Sequence, residues 1–327
     1  MNSGILALLI GTGLTTNTEN IFMQVVSAAI LTTLPFAHSL LIMFAFVAFA
    51  IFPLLSSTHA EYTRKRDFVI DLYCRDIIVI CFRYIIYSNL YQYMLLLPCL
   101  GIFESYSIQN MVDSYDMNTK KRIVPTQIVN HTSLAIVELL ALVIGRMLLP
   151  LDALDDTKYD GFYPSLIVVI PMFTILFDLF ADIGFYNIHR NFHETPFLRT
   201  FHIPDHHKNT GKHNKLMAYE TYTISTIETL SIALTYFIGF GALILVYGEL
   251  STLIVSIMVS WMHTVELMGH TELSWTPKFT YNRIVHDILG ISLTSKDHLI
   301  HHIHPTTNYS KRTRLMDYIC NTYRGKL

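Results

Sequence analysis

Long apolar runs parted by short polar knots constrain this chain more than any other feature. They cover Ile21 to Leu55, Asp76 to Phe103, Thr132 to Leu149, Phe162 to Tyr186, Thr223 to Tyr247 and Leu250 to Met268. A helix needs about 20 residues to cross a hydrocarbon layer about 30 Å thick. Backbone in hydrocarbon has no water to bond, so a chain of this kind must fold as helices that satisfy themselves. The composition agrees, at 52% hydrophobic, 15% charged and a mean hydropathy of +0.40. The expected fold is all-α: a polytopic membrane bundle of about five to seven segments. Residues 1–150 read as an N-terminal transmembrane region, and residues 151–327 as a second unit of membrane spans plus a cytoplasmic helical cap.

The chain opens on GILALLIGTGL, with no basic residues before it and no small-residue cleavage site after it, so a cleaved signal is not expected. The run from Ile21 to Leu55 breaks near Pro35 to Ser39, which suits two segments or one segment and an interfacial piece. A net charge of -2 and the absence of a basic stripe with interleaved aromatics exclude nucleic acid as a partner class. Cys74, Cys81, Cys99 and Cys320 fit neither a zinc pair nor a disulfide framework and read as reduced bystanders.

Charge sets an orientation. Arg190, Arg199, Lys208, Lys212 and Lys215 follow Tyr186, and Lys311, Arg312, Arg314, Arg324 and Lys326 crowd the end, whereas the turn from Asp152 to Asp160 is acidic. By the positive-inside rule both basic regions are cytoplasmic. Placing the knots Arg64 to Arg66 and Lys120 to Arg122 on that side as well would require Asp76 to Phe103 to turn back on itself. The sequon at Asn130 would then be cytoplasmic and unused.

Both basic regions carry histidine. Of 16 histidines, 13 lie from His189 to His304. They fall as His189-x3-His193, His202-x3-His206-His207 and His298-x2-His301-His302, with His263 and His270 at the end of a span that returns to the same side. Imidazoles at such spacings point to metal. A pH-responsive loop or a lipid-headgroup surface would not explain why two groups end in a histidine pair. A transporter would set ligands along a path through the membrane rather than at one edge. Eight or nine imidazoles exceed what one zinc takes, so two metals are expected; imidazole suits iron and zinc alike. His213, His286 and His304 are left outside the ligand set. At about 100° per residue, Asp178, Asp182, His189 and His193 share one helix face, with Tyr186 beside them. The acids are expected to accept the far ring N–H of the ligands, the alternative being helix packing.

HRNFH, HIPDHH and HLIHH resemble the three histidine boxes of the fatty acid hydroxylase and sterol desaturase superfamily, integral-membrane di-iron oxygenases. The resemblance runs from about Phe162 to Tyr318 and takes in Asp182, Tyr186 and Arg190 around the first box and TNYS, Thr307 to Ser310, after the third. MGHTE, Met268 to Glu272, resembles the extra histidine segment of several members, including the plant wax-forming aldehyde decarbonylase branch. The second box departs from the commoner pattern, with three residues before its histidine pair. Thr271 to Trp275 stands where a glycine-aromatic signature is usual, and the first 150 residues carry no such resemblance.

What the resemblance implies is a lipid hydroxylase or desaturase of lipid biosynthesis, acting on a sterol, sphingoid or fatty acyl substrate in the endoplasmic reticulum membrane if the source is eukaryotic. Its cofactors would be two iron ions, replaceable by zinc in purified samples, with O2 as co-substrate. Its metal ligands would be His189, His193, His202, His206, His207, His270, His298, His301 and His302, with His263 possible, and Asp178, Asp182 and Tyr186 would stand behind them. Electrons would come from a cytochrome b-type donor and its reductase, docking near Arg199, Lys208 and Lys212 unless those residues serve only as anchors. An aldehyde-forming or alkane-forming enzyme and a non-catalytic metal- or lipid-binding membrane protein are the alternatives. Glu228, an ionisable group early in its span, is expected either to offer a carboxylate to a polar lipid or to pair with another helix.

Overall fold

The structure, a computed structural model, describes residues 60–111, 117–148, 163–207, 216, 220–248, 250–270 and 281–326. The expected runs before residue 60, the acidic turn at 152–160, His213 and the lysines from Lys208 to Lys215 lie outside the described residues. The elements are α1 (Ala60–Ser88), α2 (Leu90–Tyr93), α3 (Leu96–Met111), α4 (Met117–Leu148), α5 (Tyr163–Glu194), α6 (Pro196–His206), α7 (Thr226–Tyr247), α8 (Thr252–Gly269), α9 (Tyr281–Ile288), α10 (Ser295–Ile303) and α11 (Leu315–Ile319). Among the described residues the only β feature is an isolated bridge between Ser292 and Thr313. The protein is an all-α bundle, and among the described residues three helices are long and apolar enough to cross a membrane: Pro125–Gly145 within α4, then α7 and α8.

The run from Asp76 to Phe103 does turn back on itself. The α-helix breaks at Asn89 and again at Met94 and Leu95, and α3 returns along α1. Leu72 and Ile108 therefore share one apolar cluster, while Ile86, Tyr87, Leu97 and Leu100 share another. The arginine in this run is paired rather than exposed to lipid: Arg83 donates to Glu104 of α3 at 2.9 Å and to Glu138 of α4 at 3.0 Å. A buried charge between two carboxylates is tolerable where a lone one is not, and here it also ties three helices together. Asn130 is buried, its amide donating to the carbonyls of Tyr222 and Ile224 at 2.8 Å each, so the sequon amide is used by the fold.

The α7–α8 hairpin forms because each end is capped. Gly248, at φ 79°, closes α7 in the left-handed conformation, and the Ser251 hydroxyl accepts from Ile254 N at 3.1 Å to start α8. Helix α5 lies along α7, where Gly239 leaves room for the Phe177 ring; a Cβ there would come within 2.6 Å of it. Phe173, Phe177, Leu243, Met258 and Met262 form the shared core of α5, α7 and α8. That core fixes the end of α5, which carries His189 and His193, against the end of α8, which carries His270.

Candidate metal centre

Four segments bring their histidines to one place, where nine buried imidazoles divide into two groups. His189, His193, His202, His207 and His301 form the first, and His206, His270, His298 and His302 the second; within each group the nearest ring nitrogens all lie within 4.8 Å of one another. Every residue expected as a ligand, His263 apart, is in one group or the other. The division explains the paired histidines. His206 and His207 are neighbours at the end of α6, and each supplies a different group; His301 and His302 on α10 divide in the same way. On α10 the spacing of four puts His298 and His302 together, while His301 turns toward α5.

Local structure holds these helices in place. Pro196 begins α6, and α10 starts at a reciprocal cap in which Thr294 Oγ1 accepts from Asp297 N and the Asp297 carboxylate accepts from Thr294 N at 2.7 Å. Arg314 anchors the same carboxylate at 2.7 Å.

Burial and then mutual repulsion hold His189, His193, His206, His301 and His302 well below the ordinary imidazole value, which favours the neutral ring. Burial and then the nearby Lys311 do the same for His270 and His298, and burial pushes His207 down to about 3. Their tautomers follow from their partners. His189 Nδ1 donates to Tyr309 O at 2.8 Å, His301 Nδ1 to Thr307 O at 2.7 Å, His270 Nδ1 to Glu266 O at 3.0 Å and His207 Nδ1 to His302 O at 3.3 Å. His202 Nδ1 donates to Glu228 Oε1 at 2.6 Å. A carbonyl or a carboxylate can only accept, so in these five rings Nε2 carries the lone pair.

In the first group, at His189, His202 and His207, those lone pairs face one another. His202 Nε2 lies 3.2 Å from His189 Nε2 and 3.0 Å from His207 Nε2, and His270 Nε2 lies 3.3 Å and 3.1 Å from the Nε2 atoms of His206 and His298. Lone pairs at such distances with no proton between them repel, and a cation among them removes the repulsion. The spacing also fits. Two nitrogens about 2.1 Å from one ion are about 3.0 Å apart at right angles and about 3.4 Å apart at the tetrahedral angle. The distances fall between the two, and five donors exceed a tetrahedral shell.

The acids expected behind the ligands sit elsewhere. Asp182 touches no ring: it accepts from the backbone N–H groups of Lys311, Arg312 and Thr313 at 2.8, 3.0 and 3.0 Å, and from the Thr313 hydroxyl at 2.9 Å. Asp178 accepts from Trp261 Nε1 at 3.3 Å, and Tyr186 OH meets Thr322 and Arg190. The reason is that the loop after α10 folds over the α5 face and presents free N–H groups to Asp182 before any ring can reach it. Asp317 grips the same loop, accepting from Tyr309 N at 2.8 Å and Ser310 N at 3.0 Å. The two aspartates thereby position the carbonyls of Thr307 and Tyr309, which in turn aim His301 and His189.

His263 also falls outside both groups. It shares a helix face with His270, but α8 ends at Gly269, so His263 lies about 10 Å back along the axis. There its Nδ1 accepts from Tyr222 OH at 2.6 Å and its ring stacks on His131. The carboxylate that does meet a ligand is Glu228, through its Oε1. Sequence reasoning also passed over Lys311, whose Nζ is 3.2 Å from His298 Nε2, 3.3 Å from His270 Nδ1 and 3.1 Å from Glu266. A chamber of about 20 Å³, room for one water-sized molecule, borders both groups and is walled toward the membrane helices by Leu134, Ile232 and Tyr236.

The fatty acid hydroxylase family model matches residues 174–322. A curated relative, fatty acid hydroxylase vlmA of Lecanicillium sp, is 27% identical over 163 residues, which is 48% of this chain and 43% of that protein, so the chain spans under half of the relative's length. No solved structure matches the chain.

Proposed function

We propose, from the match of residues 174–322 to the fatty acid hydroxylase family model, that this is a membrane-bound di-iron oxygenase that hydroxylates or desaturates a lipid. The observation that carries the reading is the division of nine imidazoles into two adjoining groups, with each histidine pair giving one ring to each. The first group would hold one iron and the second group the other. When bound, the two ions supply the activation of O2 that oxidation of an unactivated C–H bond requires.

The chain's own residues shape what reaches that chemistry. Glu228 and four backbone carbonyls fix five rings by their Nδ1–H groups, which sets the direction of each Nε2 before any ion arrives. Burial of all nine rings excludes bulk water from the centre. The chamber beside them lies toward α4 and α7, the side from which a bilayer lipid would present a carbon.

Reducing electrons would come from a separate protein of the cytochrome b type with its reductase, on the cytoplasmic face that carries the histidines; Arg199 at the exposed surface of α6 is one contact for it. The endoplasmic reticulum would be the location in a eukaryote. Lipid profiling of cells with and without the gene under 18O2 tests the reading. A labelled hydroxyl on one lipid class identifies a hydroxylase, an unlabelled new double bond a desaturase, and an unchanged lipidome would overturn the oxygenase assignment.

A further inference from the structure

A second and larger cavity, of about 270 Å³, lies between α4, α7 and α8, the three helices with membrane-spanning length and composition. It shares Leu134 and Tyr236 with the chamber beside the histidines, so the two spaces meet at one partition. From there its walls run from Leu134 to Gly145 on α4, from Ala233 to Gly248 on α7 and from Leu250 to His263 on α8. At 1.5 Å per residue these spans are about 16, 22 and 20 Å. One leaflet of a bilayer is about 15 Å of hydrocarbon, so the slot is as deep as one lipid chain is long.

Its lining suits a chain and not a head group. Two of its polar side chains are already paired, Glu138 with Arg83 and His263 with Tyr222, and most of the rest of the wall is aliphatic or aromatic. Three glycines of its wall face open space, Gly248 at the far cap of α7 and two within the helices. A Cβ built on Gly241 or on Gly145 would meet nothing within 4 Å, whereas on Gly239, two residues from Gly241, it would strike the Phe177 ring. Gly239 therefore serves helix packing, and Gly241 and Gly145 leave empty space along the slot at two depths. Gly241 lies about 7 Å along α7 from Tyr236, and Gly145 about 16 Å along α4 from Leu134.

We propose that the slot holds a single unbranched acyl chain and that Gly241 and Gly145 set how long a chain it accepts. This rests on the lipid-oxidising reading for its purpose but not for its test. Purified protein in detergent is titrated with a fluorescent acyl probe, and saturated fatty acids of increasing length compete for it. Affinity should rise with length in the unaltered protein until the slot is filled. In Gly145→Leu the rise should stop earlier, and in Gly241→Leu earlier still, each excluded methylene forfeiting roughly fourfold in affinity.

Because leucine enters open space, metal content and melting temperature should stay at the parent value; Gly241→Ala, with a smaller truncation, decides the matter if the leucine variant is unstable. Length profiles identical in all variants would overturn the proposal, as would a sterol that displaces the probe better than every fatty acid. An oxidised lipid formed by variants with unchanged profiles would retain the oxygenase reading while removing the slot. Graded profiles with no oxidised product in any cell would do the reverse.

Discussion

Replacing Glu228 by glutamine should loosen one metal and leave the other in place. The carboxylate accepts from His202 Nδ1 at 2.6 Å, with side-chain exposures of 1% for the histidine and 5% for the glutamate. Glutamine keeps the volume and one carbonyl acceptor but removes the charge, and charge-assisted bonds are about twice as strong as neutral ones. Loss of such a partner behind a metal-bound imidazole costs about 10–100-fold in metal affinity, or about 1.4–2.7 kcal/mol. His202 belongs to the first group alone, so the effect should fall on one ion of two. The assay is competition with chelators of graded strength, counting ions per chain in the parent and in Glu228→Gln. The variant should surrender the ion of the first group at about 10–100-fold lower chelator strength and that of the second group at the parent's. Circular dichroism should be unchanged, since the Ser225 hydroxyl that caps α7 bonds the backbone N–H of residue 228, which any side chain retains. Parental release of both ions would show that Glu228 does not act through His202, and the reasoning from tautomer to affinity would fail.

Asp182→Asn should cost about 2–4 kcal/mol of stability, since an amide nitrogen would face N–H donors in a buried site that now accepts charge-assisted bonds; thermal melting reads it, and unchanged melting with lost turnover would return Asp182 to a role at the rings. His206→Ala and His301→Ala should each lower metal content, and by different ions, because His206 lies in the second group and His301 in the first; the double variant should lose both, as counted by elemental analysis. Lys311→Met should raise the affinity of the second group severalfold by removing a cation 3.2 Å from His298 Nε2, measured as the free metal needed to add the second ion; a fall would mean that the amine is itself a donor.

The histidines that come together were legible because spacing is a local property. His189 with His193 and His298 with His302 are one helical turn apart, and that distance is written in the sequence. The partners of those ligands were not legible. Asp182 shares a face with His189, and nothing in α5 reveals that a loop 129 residues later would claim its oxygens. Glu228 looked like a lone acid because its histidine lies on another helix, 26 residues earlier. His263 failed for a different reason: the seven-residue spacing to His270 gives angle but not height, and the centre sits at the end of α8, where only His270 reaches. The hairpin of α1 and α3 was foreseen only as a condition on charge placement. Its cause is the paired Arg83, whose carboxylate partners lie 21 and 55 residues away.

The charge around the centre gives Lys311 its meaning. Imidazoles carry no negative charge to offset two divalent ions, and the carboxylate bonded directly to a ligand ring, Glu228, stands in the first group. The second group has Glu266 nearby, but its oxygens are already bonded to Lys311 at 3.1 Å and Arg312 at 3.3 Å, so its charge is spent on cations of the chain. In an interior where each unbalanced charge is costly, the two groups cannot hold their ions equally. The first has five rings and a carboxylate acceptor, while the second has four rings and an amine at its edge. The order of filling should therefore run from the first group to the second, and the Lys311→Met measurement tests that order, because the substitution takes away the cation that separates the two.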